Sequence, residues 1–298
     1  MVFFNIISIE NFIEGNDILE KNISIIGGDL RIVKLAKMFA EDEFDVWIYG
    51  LEMAEELENS QVVKVCASLQ ELASKSQLVI SSIPLSQDGE NIIAPFSREK
   101  VSLGDLQACL KNKKFIAGKI PPNIKNDEEI QAVDILENEE YSVLNAIATA
   151  EGAIQIAMEE YPKTLSGSKI LVMGFGRIGK ILAKMLQGIG AKVYCEARKN
   201  EDLAYIQGYG YEPVNLKNLA EKLPEFDIII NNIPVQILDQ KMLDLLKKDV
   251  LIIDLASKPG GVDFEYAKVH NIKTIWAQGL PGKVAPESAA QYIKQVMF

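Results

Sequence analysis

Histidine is nearly absent: His270 is the only one in 298 residues. A Ser-His-Asp arrangement needs a suitably placed imidazole, as do the hydroxy-acid oxidations that rely on a His acid/base, so both are disfavoured. His270 lies in AKVHNIK, between a helix and a strand. That is the wrong end of a parallel sheet for a site at strand carboxyl ends, and it predicts a surface or satisfied structural residue. Cysteine is scarce too. Cys66, Cys109 and Cys195 form neither a metal pair nor a disulfide framework and read as reduced cytoplasmic thiols. No metal-ligand spacing occurs anywhere in the chain. Lys and Arg number 31 against 42 Asp and Glu, and the net charge of −11 argues against nucleic acid or an anionic membrane as partner. No apolar run reaches the roughly 18 residues of a spanning helix. The opening MVFFNIISIENFIEGND lacks the basic start and small-residue cleavage site of a signal peptide. The expectation is a soluble cytoplasmic protein.

What is present is ordinary globular composition, 48% hydrophobic and 24% charged, over a length that suggests two domains. NISIIGG at 22–28 reads as a strand ending in a glycine pair, followed by a helical pattern at 31–42 and a strand at 45–49. Further strands are expected at 62–65, 78–82, 115–118 and 141–144, and a helix at 149–161. The second half repeats the alternation, with strands at 169–173, 191–197, 212–214, 227–231, 250–254 and 274–277 and a last helix at 286–297. The fold class is α/β: two doubly wound Rossmann-like domains with parallel sheets and a cleft between them. We expect a substrate-side domain at 1–148, a connecting helix and linker at 149–165 and a nucleotide-binding domain at 166–284. The C-terminal helix at 285–298 is expected to pack back on the first domain.

The most informative stretch is KILVMGFGRIGKILAKMLQGIGAKVYCEA, at 169–197. Its turn is G-x-G-x-x-G, with Gly174 for the tight turn, Gly176 for close approach of a pyrophosphate and Gly179 for helix–strand packing. Arg177 and Ile178 complete the turn, and the helix behind them offers unpaired N–H groups to phosphates. Asn232, Ile233 and Pro234 follow the strand expected at 227–231 and form part of the same rim. At the end of the second strand a carboxylate would accept from the ribose 2′-OH of NAD. Ala197 stands there, followed by Arg198 and Lys199, which suits the 2′-phosphate of NADP. A register shift of one residue would place Glu196 there instead and favour NAD, so NAD stays open.

Candidates for the chemistry follow the strand at 250–254. Lys258 could pair a substrate carboxylate or relay a proton, and Ser257 could donate a hydrogen bond. Asp254 is either a catalytic acid or a buried residue holding the loop through backbone N–H groups. In the first domain, Arg31 and the N–H groups after Gly28 read either as an anion site or as a degenerate turn beside a solvated Arg. Ser82 opens a polar loop after a buried strand, and Lys119 follows another strand end.

Several strings carry a resemblance: IIGGDLR at 25–31, TAEGAIQIA at 149–157, SGSKILVMGFGRIGK at 166–180 and INNIP at 230–234. To these add IIDLASKPGGVDFEYA at 252–267 and GLPGKVAPESA at 279–289. With them the chain resembles the A subunit of bacterial dipicolinate synthase. The resemblance implies the last step of dipicolinate synthesis in sporulation. A dihydrodipicolinate, derived from 4-hydroxy-tetrahydrodipicolinate, loses hydride to NADP and becomes aromatic. It also implies a partner, the flavoprotein-like B subunit of dipicolinate synthase, in the mother-cell cytoplasm. A small dicarboxylate substrate would give Arg31, Lys119 and Lys258 a shared purpose, with Ser82, Ser257 and the N–H of Gly260 as neutral donors. Two other readings stay open: an NADP-dependent dehydrogenase of another small carboxylate, of shikimate type, and a non-catalytic NAD(P)-sensing Rossmann protein. Self-association is also left open.

Overall fold

Parallel strands covered on both faces need apolar side chains at nearly every position, and NISII, LVIS, KILVM, IIIN and LIID meet that demand. In a computed structural model of the chain, residues 21–58 and 62–297 are described. The leader question raised for residues 1–17 lies outside them. The chain divides into two units, one holding the residues up to Leu144 together with 285–297, the other holding 145–284.

The first unit runs β1 (Asn22–Ile26), α1 (Leu30–Glu41), β2 (Asp45–Tyr49), β3 (Val63–Val65), α2 (Leu69–Lys75), β4 (Leu78–Ser81), α3 (Leu103–Cys109), β5 (Lys113–Ala117), α4 (Pro122–Lys125) and β6 (Ile130–Asp134). Its six strands are parallel, in the order β3-β2-β1-β4-β5-β6. Alternate side chains feed two cores. Ile23, Ile25 and Ile80 face one with Val33, Leu35 and Phe39 of α1, whereas Ile26, Val79 and Phe115 face the other with Leu72 and Leu106. Each isoleucine so enclosed contributes about 1.5–3 kcal/mol. A long helix, α5 (Glu139–Glu160), carries the chain across the division at Leu144. The expected strand at 141–144 is therefore helix. YSVL is an apolar run too short to reveal its period, and Tyr141, fully buried in the core that holds Leu35 and Ile135, sits in the first turn.

The second unit runs β7 (Lys169–Met173), α6 (Arg177–Gly188), β8 (Lys192–Ala197), α7 (Asn200–Gly208), β9 (Glu212–Asn215), α8 (Leu219–Lys222), β10 (Ile228–Asn231), α9 (Gln240–Leu243), β11 (Leu251–Asp254), α10 (Phe264–Val269), β12 (Lys273–Trp276) and α11 (Leu280–Val284). Its order is β12-β11-β10-β7-β8-β9, again all parallel. Both sheets therefore have the 3-2-1-4-5-6 order of dinucleotide-binding folds, bearing out the two doubly wound units read from sequence. The final helix, α12 (Pro286–Met297), returns to the first unit. There Ala290, Ile293, Val296 and Met297 join the α1 core, and Lys34 bonds Glu287 at 3.0 Å. No helix among the described residues is long and apolar enough to cross a membrane.

Candidate functional site

In this strand order ligands bind where the sheet reverses direction, between the first and fourth strands. In the second unit that crevice lies between β7 and β10, and the glycine turn occupies its β7 side. Gly174 takes φ +87°, a left-handed conformation that suits glycine. A Cβ on Gly179 would run into the Gly174 carbonyl oxygen, whereas one on Gly176 would meet nothing within 4 Å. The turn is thus closed on its protein side and open on its solvent side. Gly176 also caps α6 without a side chain, so the first N–H groups of that helix face outward unmasked, beside the exposed Arg177 and half-buried Ile178. These features fit a dinucleotide pyrophosphate. Asn232 braces the turn from β10, its Nδ2 donating to Met173 O at 2.6 Å and Gly174 O at 3.0 Å. Ile233 packs on the same glycine, and Pro234 is exposed at the rim.

The end of β8 bears on cofactor choice. Ala197 is its last residue and is buried, while Arg198 and Lys199 are exposed, Lys199 pairing with Glu201 at 3.4 Å. Glu196 pairs in register with Met173 and is 1% exposed. Its Oε2 accepts from Gly174 N at 3.2 Å. Burial pushes this carboxyl above the usual glutamate range, against the opposing pull of the Gly174 N–H and the charge of Arg198.

The loop after β11 is built around Asp254, which is fully enclosed. Its Oδ1 accepts from Asn231 Nδ2 at 2.8 Å and Ala256 N at 3.0 Å, and its Oδ2 from Gly261 N at 2.7 Å. This geometry matches the second of the two readings of Asp254, a buried residue that holds the loop through backbone N–H groups. Gly260 is also corrected: its N–H is taken by Ser257 O at 2.9 Å and cannot serve a substrate. What the loop presents is Ser257 and Lys258, both exposed, with no side-chain hydrogen bond or ion pair to the described residues. Beneath it, Trp276 stacks on Phe264 at 4.8 Å and donates to Ala256 O at 2.9 Å. His270 stacks on Tyr266 at 3.8 Å after α10, before the amino end of β12. Within the string at 279–289, Leu280–Val284 is the short helix α11, with Leu280, Pro281 and Gly282 buried.

The first unit has the same crevice, between β1 and β4, and closes it from within. Gly27 N donates to Tyr49 O and Gly28 N to Ile93 O, both at 2.8 Å. A Cβ on Gly27 would press on Ile92 and Ala94 of the segment that follows β4. The choice left open for Arg31 resolves to neither reading, because it is buried and grips its own chain. Nη2 bonds Asp29 Oδ2 at 2.8 Å and also Ile83 O, across the crevice, and Tyr141 adds a further hydrogen bond. Ser82 likewise turns inward, donating to Leu85 O at 3.0 Å. Lys119 differs. At φ +52° it stands in a corner pinned by Asp134, whose oxygens accept Lys119 N and Ile120 N at 2.9 Å each, and its side chain is exposed. Sequence reasoning misses Asp134, which ends β6, and that strand-end position is the signal that could have found it.

A turn of this geometry on this sheet defines a dinucleotide-binding Rossmann domain. Consistently, the family model "D-isomer specific 2-hydroxyacid dehydrogenase, NAD binding domain" matches residues 144–260. The model for the N-terminal domain of the dipicolinate synthase A subunit matches residues 22–137. The A subunit of dipicolinate synthase from Bacillus subtilis is 33% identical over 92% of this chain and 94% of its own length. Crystal structures of that subunit superpose closely. The one from Bacillus halodurans has a TM-score of 0.82 at 27% identity, over 93% of this chain and 96% of its own. The one from Bacillus subtilis has 0.78 at 31% identity, over 93% and 94%. The chain belongs to the family of dipicolinate synthase A subunits.

Proposed function

We propose that this chain oxidises a dihydrodipicolinate to dipicolinate, pyridine-2,6-dicarboxylate, with NADP as hydride acceptor, as the A subunit of dipicolinate synthase in a sporulating bacterium. The observation that carries the reading is an open G-x-G-x-x-G turn at the β7/β10 crevice in a chain of this family. A nicotinamide dinucleotide bound at this turn would supply the hydride acceptor. The protein binds the pyrophosphate on the N–H groups behind Gly176, and Arg198 with Lys199 grips the 2′-phosphate. Lys258, exposed on a loop anchored by Asp254, is the cation we assign to a substrate carboxylate; in the first unit Lys119 is a further candidate, exposed on a corner anchored by Asp134. Oxidation of the dihydropyridine releases one hydride and one proton. Aromatisation supplies driving force, so the proton leaves past Ser257 and Lys258 to water without a histidine base.

The partner is the flavoprotein-like B subunit of the synthase; the setting is the mother-cell cytoplasm. The test mixes the purified chain with that partner, NADP and a source of dihydrodipicolinate, and follows the absorbance of the aromatic product. Product that appears only with the dinucleotide supports the reading. Dinucleotide binding with no product, the partner present, refutes it and leaves a sensing role.

A further inference from the structure

Asn231 ends β10 fully enclosed, and both heads of its amide are bonded. Oδ1 accepts from Ile233 N at 3.2 Å, while Nδ2 donates to Ile233 O at 3.0 Å and to Asp254 Oδ1 at 2.8 Å. Only one orientation of the amide meets these partners; turned over, its oxygen would face a carboxylate and a carbonyl. The backbone joins the same two loops. Leu255 N donates to Asn231 O at 2.8 Å, and Ile237 N and Leu238 N donate to Gly261 O at 3.1 and 3.0 Å. Gly261 leaves the room this needs, since a Cβ there would lie 2.1 Å from Asn231 Nδ2 and 2.7 Å from Ile233 O. One buried amide thus bridges two loops. The one after β10 carries the Asn232 brace of the glycine turn, and the one after β11 presents Ser257 and Lys258.

We propose that Asn231 is a positioning residue: through Asp254 it fixes where the loop after β11 holds Lys258 relative to the rim after β10, and so governs substrate binding without touching substrate. The inference rests on the reading that Lys258 meets a substrate carboxylate. Neither an apolar side chain nor a carboxylate replaces this amide, because the position needs an acceptor for Ile233 N and donors for Ile233 O and Asp254 at once. Among the described residues, Asp254 is the only titratable side chain hydrogen-bonded to Asn231.

The test is steady-state kinetics of the full chain with the partner subunit, NADP+ and the dihydrodipicolinate source, on wild type and Asn231→Asp. The new side chain has the same size and keeps an acceptor for Ile233 N, but turns its other oxygen on Asp254. Its apparent KM for the dicarboxylate should rise roughly tenfold at neutral pH, while NADP+ affinity by calorimetry stays within about threefold. The rise should shrink as pH is lowered from about 8 to about 6, because two carboxyls sharing one proton restore the donor. In a Trp47→Phe background, Trp276 emission should shift to longer wavelength as its contact with Ala256 O loosens. Loss of folded protein alone would lower kcat and leave KM and its pH trend as in wild type. Should Asn231→Asp not fold, Asn231→Ser, which removes the donor without adding charge, decides by the same rise in KM. A wild-type KM in the folded variant overturns the inference, whether or not kcat falls. Lys258→Met separates it from the reading beneath: a KM effect there with none at Asn231 removes the positioning role alone, and no effect in either removes both.

Discussion

Replacing Asp254 with Asn separates a loop anchor from a catalytic acid. The carboxylate accepts three hydrogen bonds, two on Oδ1 and one on Oδ2, from donors fixed by β10 and by its own loop. An amide keeps one acceptor and turns the other into a donor. In its better orientation it still sets an NH2 group against Gly261 N–H, losing one charge-assisted bond and leaving a buried donor unmet. Together these cost about 3 kcal/mol. For a unit of this size that lowers the melting temperature by roughly 9 °C. The chain has two tryptophans, Trp47 in the first unit and Trp276 in the second. In a Trp47→Phe background, Trp276 emission reports the Asp254 loop directly, because its indole donates to Ala256 O. Melting followed by that signal should move down while dinucleotide affinity falls only modestly. A variant that melts like its parent yet makes no product would refute the anchoring role and return Asp254 to the chemistry.

Other substitutions divide along the same lines. Gly176→Ala should leave the melting temperature within about 1 °C, since its Cβ enters open space, but weaken dinucleotide binding at least tenfold by calorimetry; Gly179→Ala should destabilise the second unit by about 2 kcal/mol or more through its clash with Gly174 O. Arg31→Lys keeps the charge and loses the forked grip on Asp29 and Ile83 O, so urea unfolding of the first unit should show a loss of about 3 kcal/mol. Lys258→Met should reduce turnover or substrate affinity with no change in melting, and unchanged kinetics would remove Lys258 from the site. Glu196 is raised above the usual carboxyl range when folded. Its ionisation therefore takes stability away as pH rises from the unfolded-state value near 4.3 through the folded one. Glu196→Gln should lack that loss, so its stability advantage over wild type in urea should grow between acid and neutral pH.

The legible part of the fold was that written in runs of side chains. Strands buried on both faces announce themselves as IIII-type runs, and G-x-G-x-x-G between a strand and a helix identifies its turn because each glycine has a steric reason to be there. Short or edge segments were less legible. YSVL fits either period, and the first half of α5, before the helix expected at 149–161, becomes evident only when Tyr141 and Ala146 are counted with Ala150, Ala153 and Ala157. IQAVD, an edge strand, is only partly buried and went unread. At the candidate site, sequence locates the loops at the strand ends but not which way their polar groups turn. Asp254, Ser82 and Arg31 follow strand ends as ligand-binding residues do, yet each faces its own backbone. That choice depends on tertiary donors and acceptors such as Gly261 N, Leu85 O and Ile83 O, which no local pattern reveals.

The two units have one topology, but their crevices differ in which backbone donors they leave open. In both, a polar side chain ties the first strand's turn to the fourth strand: Arg31 to Ile83 O in one, Asn232 to Met173 O and Gly174 O in the other. The ties differ in what they leave over. Arg31 and Asp29 fill the first crevice with charge of both signs, and Gly27 and Gly28 give their N–H groups to Tyr49 O and Ile93 O, so an incoming phosphate would find neither glycine donor free. Asn232 instead takes only carbonyl oxygens, leaving the N–H groups behind Gly176 facing outward. A brace that consumes acceptors keeps the donors an anion needs; a brace that brings its own carboxylate removes that need. On this argument, opening the first crevice by Asp29→Ala and Arg31→Ala together should destabilise the unit without creating dinucleotide affinity, because the two glycine N–H groups stay bonded. Calorimetry on a chain already disabled by Gly176→Ala measures this directly, and new binding there would show that the side chains, not the backbone, closed the site.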